Sequence, residues 1–328
     1  MIKFHLEGFE RTPPDGQLKK ESMTKRSINA YQKPWIAFFI TPALILTLIF
    51  TLVPALTLLS YSLFSWESFR RVNFVGLANF ERLTQFPFRQ DFTLAFANNV
   101  KVFLTLFFVQ TSVGLLLAYA IYRLKRGKKF FQAIIFLPVI LSLVVVAFIW
   151  KLIFDPLFGP LSTLATQLNW QWLNQPWLGE PGMALFTMIF IGFWRWVGFP
   201  AIVFLAGMNS INDEFLEAAR IDGASEGQVF RKVIFPLMAP SFTIIAVLTF
   251  IGAFEWFELP YVIGGVTGQP GGSTTTMALL FYRLAFGTVD SATVDVGMSS
   301  AIGVILFIFV GIGAAVGSYY LRKREVQQ

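Results

Sequence analysis

The stretch Glu217-Ala218-Ala219-Arg220-Ile221-Asp222-Gly223, continuing Ala224-Ser225-Glu226-Gly227-Gln228-Val229-Phe230-Arg231-Lys232-Val233-Ile234-Phe235-Pro236, decides how this 328-residue chain is read. It is a short polar segment caught between two long hydrophobic runs. A chain that only had to reverse direction would need a few loop residues. Here Ser225 and Gln228 have the spacing of a capping box, and Gly223 can take the left-handed conformation that ends a first helix. Asn212 or Asp213 can cap that helix, whose acidic Asp213 and Glu214 sit at its positive end. The sequence therefore predicts a capped two-helix element over 211–235, with a small-residue face at Ala218 and Ala219. Phe215, Leu216 and Ile221 are apolar surface that a polar turn does not need for itself. With Glu217 as a charge for an arginine or a backbone amide, the element is expected to be gripped by another protein. The alternative is an ordinary amphipathic surface helix.

Outward from this stretch the chain is apolar: 55% hydrophobic, 14% charged, mean hydropathy +0.63. That exceeds what a soluble domain carries. Apolar runs of about 20 residues cross a hydrocarbon core of roughly 30 Å. Six are expected, at about 35–60, 94–122, 130–153, 184–208, 237–262 and 297–321, so the fold class is an all-α integral membrane protein with six transmembrane helices. Pro42, Pro54, Pro138 and Pro200 fall inside these runs and are tolerated in bundles whose neighbours satisfy the freed carbonyls. Lysine and arginine favour the cytoplasmic side. Segments 1–33, 123–129, 209–232 and 322–328 hold eighteen of them, against five in 61–93, 154–183 and 263–296. Both termini and the 211–235 element are thus expected in the cytoplasm, with a cytoplasmic tail at 1–33, a permease domain at 34–321 and a basic tail at 322–328.

The net charge of +7 is accounted for by this topology, so no nucleic-acid partner is expected. The chain has no cysteine, hence neither disulfide nor thiol chemistry. The first 33 residues lack the apolar core of a signal peptide, and Met23-Thr24-Lys25-Arg26 reads as an alternative translation start that would make 1–22 a mobile extension. There is no Walker A loop, no His-Glu-x-x-His and no Gly-x-Ser-x-Gly, and the one histidine is His5. A catalytic centre or metal site in this chain is not expected.

The central stretch also resembles a known family. Glu-Ala-Ala, three residues, Gly, nine residues, then Ile-x-Leu-Pro is the cytoplasmic signature of permease subunits of binding-protein-dependent ABC importers. Glu217, Ala218, Ala219, Gly223 and Pro236 match it in register, with Val233 and Phe235 standing where the family has Ile and Leu. Phe74-Val75-Gly76-Leu77-Ala78-Asn79-Phe80, Phe136-Leu137-Pro138 and Trp194-Arg195-Trp196-Val197-Gly198-Phe199-Pro200 are similar to motifs of the maltose-type branch. Phe254 to Gly265 and Tyr282 to Phe286 resemble the end of the fifth span and the loop behind it, although Ile263 to Gly268 departs from the family's fuller Leu-Thr-Gly-Gly-Gly-Pro. The resemblance implies a type I ABC importer permease fold in a bacterial inner membrane. It also implies half of a pathway for a sugar, oligosaccharide, polyol or glycerol phosphate. The implied partners are a second permease subunit (by family precedent a distinct paralogue), two copies of a cytoplasmic ATPase and an extracytoplasmic solute-binding protein. ATP and Mg would be held by the ATPase, with no cofactor in this chain. Phe215, Leu216, Glu217, Ala218, Ala219, Asp222 and Gly223 are then the expected ATPase-coupling residues. A permease for amino acids or phosphate, or an autonomous carrier that would not need the Glu-Ala-Ala element, remain the competing functions.

Charges deep in a membrane cost about 2.5–3.5 kcal/mol each on insertion scales, so they line polar cavities or pair. Arg195 lies roughly 16 Å below the outer surface and Glu255 roughly 10 Å, at about 1.5 Å per residue. Pairing of Arg195 with Glu255 or Glu258 is expected, whereas Lys151 and Asp155 read as anchors at the interface. Arg195, Trp196, Gly198, Phe254, Glu255, Phe257 and Glu258 are the candidate pathway residues, since aromatic faces with scattered hydrogen-bonding groups suit sugar rings. The alternative is aromatics that only pack helices. In the loop from Gly264 to Gly297, the glycines predict a flexible tip and Met277, Leu280, Phe281 and Leu284 a short amphipathic helix at the interface. Gly264, Gly265, Thr267, Gly268, Gly272 and Thr274 are the expected contacts with the binding protein, a solvated connector being the alternative.

Overall fold

The computed structural model describes residues 35–288 and 294–323. The 1–33 tail with His5 and Met23, and residues 324–328 of the basic C-terminal tail, lie outside the described residues. By its internal contacts the chain divides into Met1–Thr57 and Leu58–Gln328.

Helix α1, Trp35–Ser62, begins in the first unit and is apolar along its whole length. The ring of Pro54 would meet the carbonyl of Phe50 in a regular helix. The backbone widens into a π-type turn at Leu48–Leu52, which takes up that conflict without breaking the span.

In the second unit, an antiparallel hairpin of β1 (Phe64–Glu67) and β2 (Arg70–Phe74) follows. Asn79, from the Val-Gly-Leu-Ala-Asn stretch, is buried and donates through Nδ2 to the carbonyls of Ser62 and Phe64 at 2.8 Å each. It ties the hairpin to the end of the helix before it. Helix α2 runs Phe88–Arg123, with a second π-type turn at Leu106–Gln110. The third expected span, 130–153, is not one straight helix. It is α3 (Lys128–Ile140) and α4 (Leu143–Ile153), bent by 92°. Pro138 lacks an N–H and removes one bond from within α3, and the ladder stops where Leu141 and Ser142 turn extended. The fourth is α5 (Pro181–Trp196) and α6 (Gly198–Asn209), bent by 41°. Ala239–Gly264, written here as α7, and Val296–Arg322, α8, complete the apolar set. Four described helices are long and apolar enough to cross a membrane, and each bent pair adds one more when counted as a span.

Buried apolar side chains gather in clusters along this bundle. One, around Ala118, Phe204, Leu205, Met208 and Ile245, extends down to Leu216, Val229 and Ile234 of the 211–235 element. Another joins Ala95 to Met277, Leu280, Met298 and Ile302. The described residues of 61–93 are tied by ion pairs to those of 263–288 and 294–296. Arg82 pairs with Asp295 at 2.7 Å and Arg283 with Asp91 at 2.6 Å.

Candidate functional site

The 211–235 element folds as its sequence predicts. The side chain of Asn212 accepts the N–H of Glu214 at 3.1 Å and starts the helix Asp213–Ile221. Gly223, at φ +80°, closes it in a Schellman motif. The N–H of Ala224 donates to Ala219 and that of Gly223 to Arg220, both at 3.0 Å. This pattern needs a left-handed residue at Gly223. Ser225 and Gln228 form the reciprocal capping box that starts the next turn. Arg220 and Glu226 clip the two pieces together at 3.3 Å on the exposed side.

Burial divides the element's apolar residues. Leu216 is only 3% exposed and packs with Met208, Val229 and Ile234. It bolts the helix to its own bundle, so the expectation that Leu216 anchors a partner is corrected. Phe215, at 51%, and Ile221, at 85%, point away. Phe215, Ala218 and Asp222 recur at i, i+3 and i+7 and share one exposed face, with Glu217 and Ile221 beside it. Ile221 belongs with the exposed face more than Leu216 does.

Inside the bundle a cavity of about 150 Å³ is bounded by α2, α4, α5 and α7, and Arg195 and Trp196 line it. Arg195 is not paired with Glu255 or Glu258, which are both exposed. Its Nε and Nη2 donate to the carbonyl of Leu141 at 3.2 and 3.1 Å. The bend that follows α3 frees that carbonyl, and it lies nearer than either carboxylate. Trp196 stacks on Phe199, ring centroids 5.2 Å apart, and Trp256 and Thr249 complete the wall.

Three other expected pathway residues have structural work instead. Phe254 is fully buried among Phe96, Phe250 and Phe309. Gly198 is a close-approach site, where a Cβ would overlap the carbonyl of Ile135. Phe257 stacks on Tyr261 and meets Tyr282, away from the cavity. Residue-level reading of the sequence missed Gln110, which is buried, lines the cavity and leaves Oε1 without a hydrogen-bond partner. Its signal was there to find, as an amide and two hydroxyls, Gln110-Thr111-Ser112, in the middle of an apolar helix.

The glycine-rich loop is not a flexible tip. Asn98 donates through Nδ2 to the carbonyls of Ser273 (2.8 Å) and Thr275 (2.9 Å). Asn99 donates to Ala253 (2.6 Å) and accepts the N–H of Met277 (2.8 Å). The hydroxyl of Thr276 donates to the carbonyl of Trp256 at 2.7 Å. Gly264, Gly268 and Thr274 are buried by this packing, so they support the loop and do not present it to a partner. Gly268, at φ +66°, sits where a Cβ would reach the backbone N of Thr275 at 2.8 Å. Gly265, Thr267 and Gly272 stay partly exposed. The helix Met277–Phe286 forms as expected, with Met277, Leu280, Phe281 and Leu284 turned into the core. Lys151 is exposed, and Asp155 caps the turn after α4. The N–H groups of Phe158 and Leu157 donate to Asp155 at 2.9 Å each and hold its carboxyl below the usual carboxylate range.

Among known proteins, residues 110–326 match the profile of the family described as "Binding-protein-dependent transport system inner membrane component". The chain is 30% identical over 296 residues to a probable starch degradation products transport system permease protein (AmyD) of Thermoanaerobacterium thermosulfurigenes, covering 89% of this chain and 96% of that one. It is 31% identical over 305 residues to the multiple sugar-binding transport system permease protein MsmF of Streptococcus mutans, covering 93% and 100%. A crystal structure of a bacterial ABC transporter involved in alginate import contains a chain of the same fold. The TM-score is 0.73 at 23% identity, covering 91% of this chain and 99% of that one.

Proposed function

This chain belongs to the family of binding-protein-dependent transport system inner membrane components, as a carbohydrate-type permease subunit of an ABC importer, and we propose how it is coupled and what it meets. The exposed face of Phe215, Glu217, Ala218, Ile221 and Asp222 docks into a cytoplasmic ATPase subunit, one of two that hold ATP and Mg. Gly223 and the Ser225–Gln228 box keep that face rigid. A second permease subunit supplies the other half of the pathway, and an extracytoplasmic binding protein delivers the solute at Gly265, Thr267 and Gly272. The spans number six, with both termini in the cytoplasm of a bacterium and the chain in its inner membrane.

The observation that carries this reading is the division of the 211–235 element. Leu216, Val229 and Ile234 hold it to the bundle, while Phe215 and Ile221 are bare apolar side chains on a polar, well-capped helix. Exposed apolar surface of this kind marks a contact with another protein. The cavity supports the carbohydrate class. Trp196 and Trp256 offer aromatic faces to sugar CH groups, and Gln110 Oε1 is an acceptor awaiting a hydroxyl.

The test is reconstitution of the chain with its companion permease, ATPase and binding protein in liposomes. Oligosaccharide uptake should require ATP and fall at least tenfold when Phe215 and Ile221 are both replaced by Ala. Uptake that continues without the ATPase subunit would make the chain an autonomous carrier and end the proposal.

A further inference from the structure

A second space, walled almost wholly by apolar side chains, lies elsewhere in the described residues, between α4, α5 and the segment that joins them. It is a cavity of about 490 Å³, in the size range of small-molecule sites. Trp150 and Phe154 of α4, Phe186 and Phe190 of α5, and Leu173 and Trp177 of the connecting segment form its walls. The one side-chain hydroxyl on the wall, Thr187, is already committed. It donates to the carbonyls of Trp177 (3.0 Å) and Met183 (3.1 Å). The indole N–H of Trp177 is likewise used, on the carbonyl of Leu173 at 3.0 Å.

Of the polar side-chain groups on the wall only the Trp150 indole N–H is left without such a bond, and a space with so few polar groups does not hold water well, because each water needs two to four polar partners. It does not suit a sugar either, whose hydroxyls would lose their hydrogen bonds on entry. What fits is hydrocarbon. The position of the cavity names the source. Phe186 and Phe190 line it and are also exposed on the flank of α5, and Phe148 and Leu152 are exposed on α4 next to it. In a multi-pass membrane protein those flanks face acyl chains, so the cavity opens onto the bilayer interior.

We propose that this cavity is a built site for one acyl chain of a membrane phospholipid, seated between α4 and α5. The chain fills the space that the connecting segment roofs with Leu173 and Trp177. The site is separate from the solute cavity of Arg195 and Gln110, with which it shares no lining residue.

Gly182 gives a clean way to close it. It lines the cavity, and a Cβ there meets nothing within 4 Å. Gly182→Leu therefore fills the space, and leucine favours helix over glycine at this position. The experiment places the assembled transporter in nanodiscs containing a phosphatidylglycerol with a photoactivatable diazirine near the end of one acyl chain, followed by peptide mass spectrometry. The parent should carry adducts on Trp150, Phe154, Phe186 or Leu173, and on the freely lipid-facing Phe148 and Leu152. Gly182→Leu should lose the cavity adducts at least fivefold and keep those on Phe148 and Leu152. Cavity adducts that persist in Gly182→Leu, or that are absent from the parent while Phe148 and Leu152 are labelled, would overturn the site. A Met183→Trp substitution, filling the same space from the next residue, gives a second reading should Gly182→Leu assemble poorly.

Discussion

Arg195 and Leu141 are joined by two hydrogen bonds onto one carbonyl oxygen, at 3.2 and 3.1 Å, across 54 residues of sequence. The cation of α5 thereby completes the broken end of α3 and fixes the 92° bend between α3 and α4. A charge that would be costly alone in a membrane is held by a backbone group that would otherwise be unpaired.

Arg195→Ala should therefore lower thermal stability in detergent by the equivalent of about 1–3 kcal/mol, the usual cost of an orphaned buried polar group, and reduce uptake. Exchanging charges between Arg195 and Glu258 should not restore function, because no ion pair is being rebuilt. Parent-like melting of the Arg195→Ala transporter would remove the carbonyl's role.

Gln110→Leu separates stability from function. Removing an unsatisfied buried amide oxygen should leave melting unchanged or raise it by about 1 kcal/mol equivalent. Solute uptake should nevertheless drop several-fold, with binding-protein-stimulated ATP hydrolysis still detectable. If uptake stays at the parental rate, Gln110 plays no part in the pathway.

Within the coupling element, neighbouring residues should fail differently. Leu216→Ala empties a packed site and should destabilise the chain by roughly 2–5 kcal/mol. Glu217→Ala makes no such loss, since Glu217 is exposed, yet it should weaken co-purification of the ATPase. Gly223→Val forces a β-branched residue to φ +80° and should loosen both the helix end and the docking, whereas Gly223→Asn should be tolerated. Equal ATPase recovery from all four variants would show that this face is not the docking surface.

For the glycine-rich loop, Asn98→Ala orphans two carbonyls. Amide exchange over residues 264–276 should rise at least tenfold, with the spans unaffected. Gly268→Ala should do the same through its contact with Thr275. Parental protection in Asn98→Ala would mean that the loop is held by other bonds.

Much of this protein is legible in its sequence because the signals are local. The apolar runs, the capping box at Ser225–Gln228, the left-handed Gly223 and the helical spacing of Met277, Leu280, Phe281 and Leu284 each lie within one or two turns. What was hidden depends on distant pairings. Nothing near Gly268 says that Asn98 will reach Ser273 and Thr275 across 175 and 177 residues, so glycine richness reads as slack when it is tight packing. From sequence alone Arg195 calls for a carboxylate, until a bend 54 residues away supplies a carbonyl. Phe254 reads as a pathway residue and Leu216 as a coupling residue only because periodicity cannot tell which side of a helix meets its own bundle.

The bond from the Thr276 hydroxyl to the Trp256 carbonyl has a mechanical meaning. Thr276 ends the glycine-rich turn and caps the helix Met277–Phe286, and Trp256 forms part of the wall of the cavity that Arg195 lines. With Asn99 clamping Ala253 and Met277 together, the loop and that wall are one stiff lever. Displacing the loop at Gly265 or Gly272 would therefore displace the Trp256 indole as well, because every link between them is a hydrogen bond to backbone.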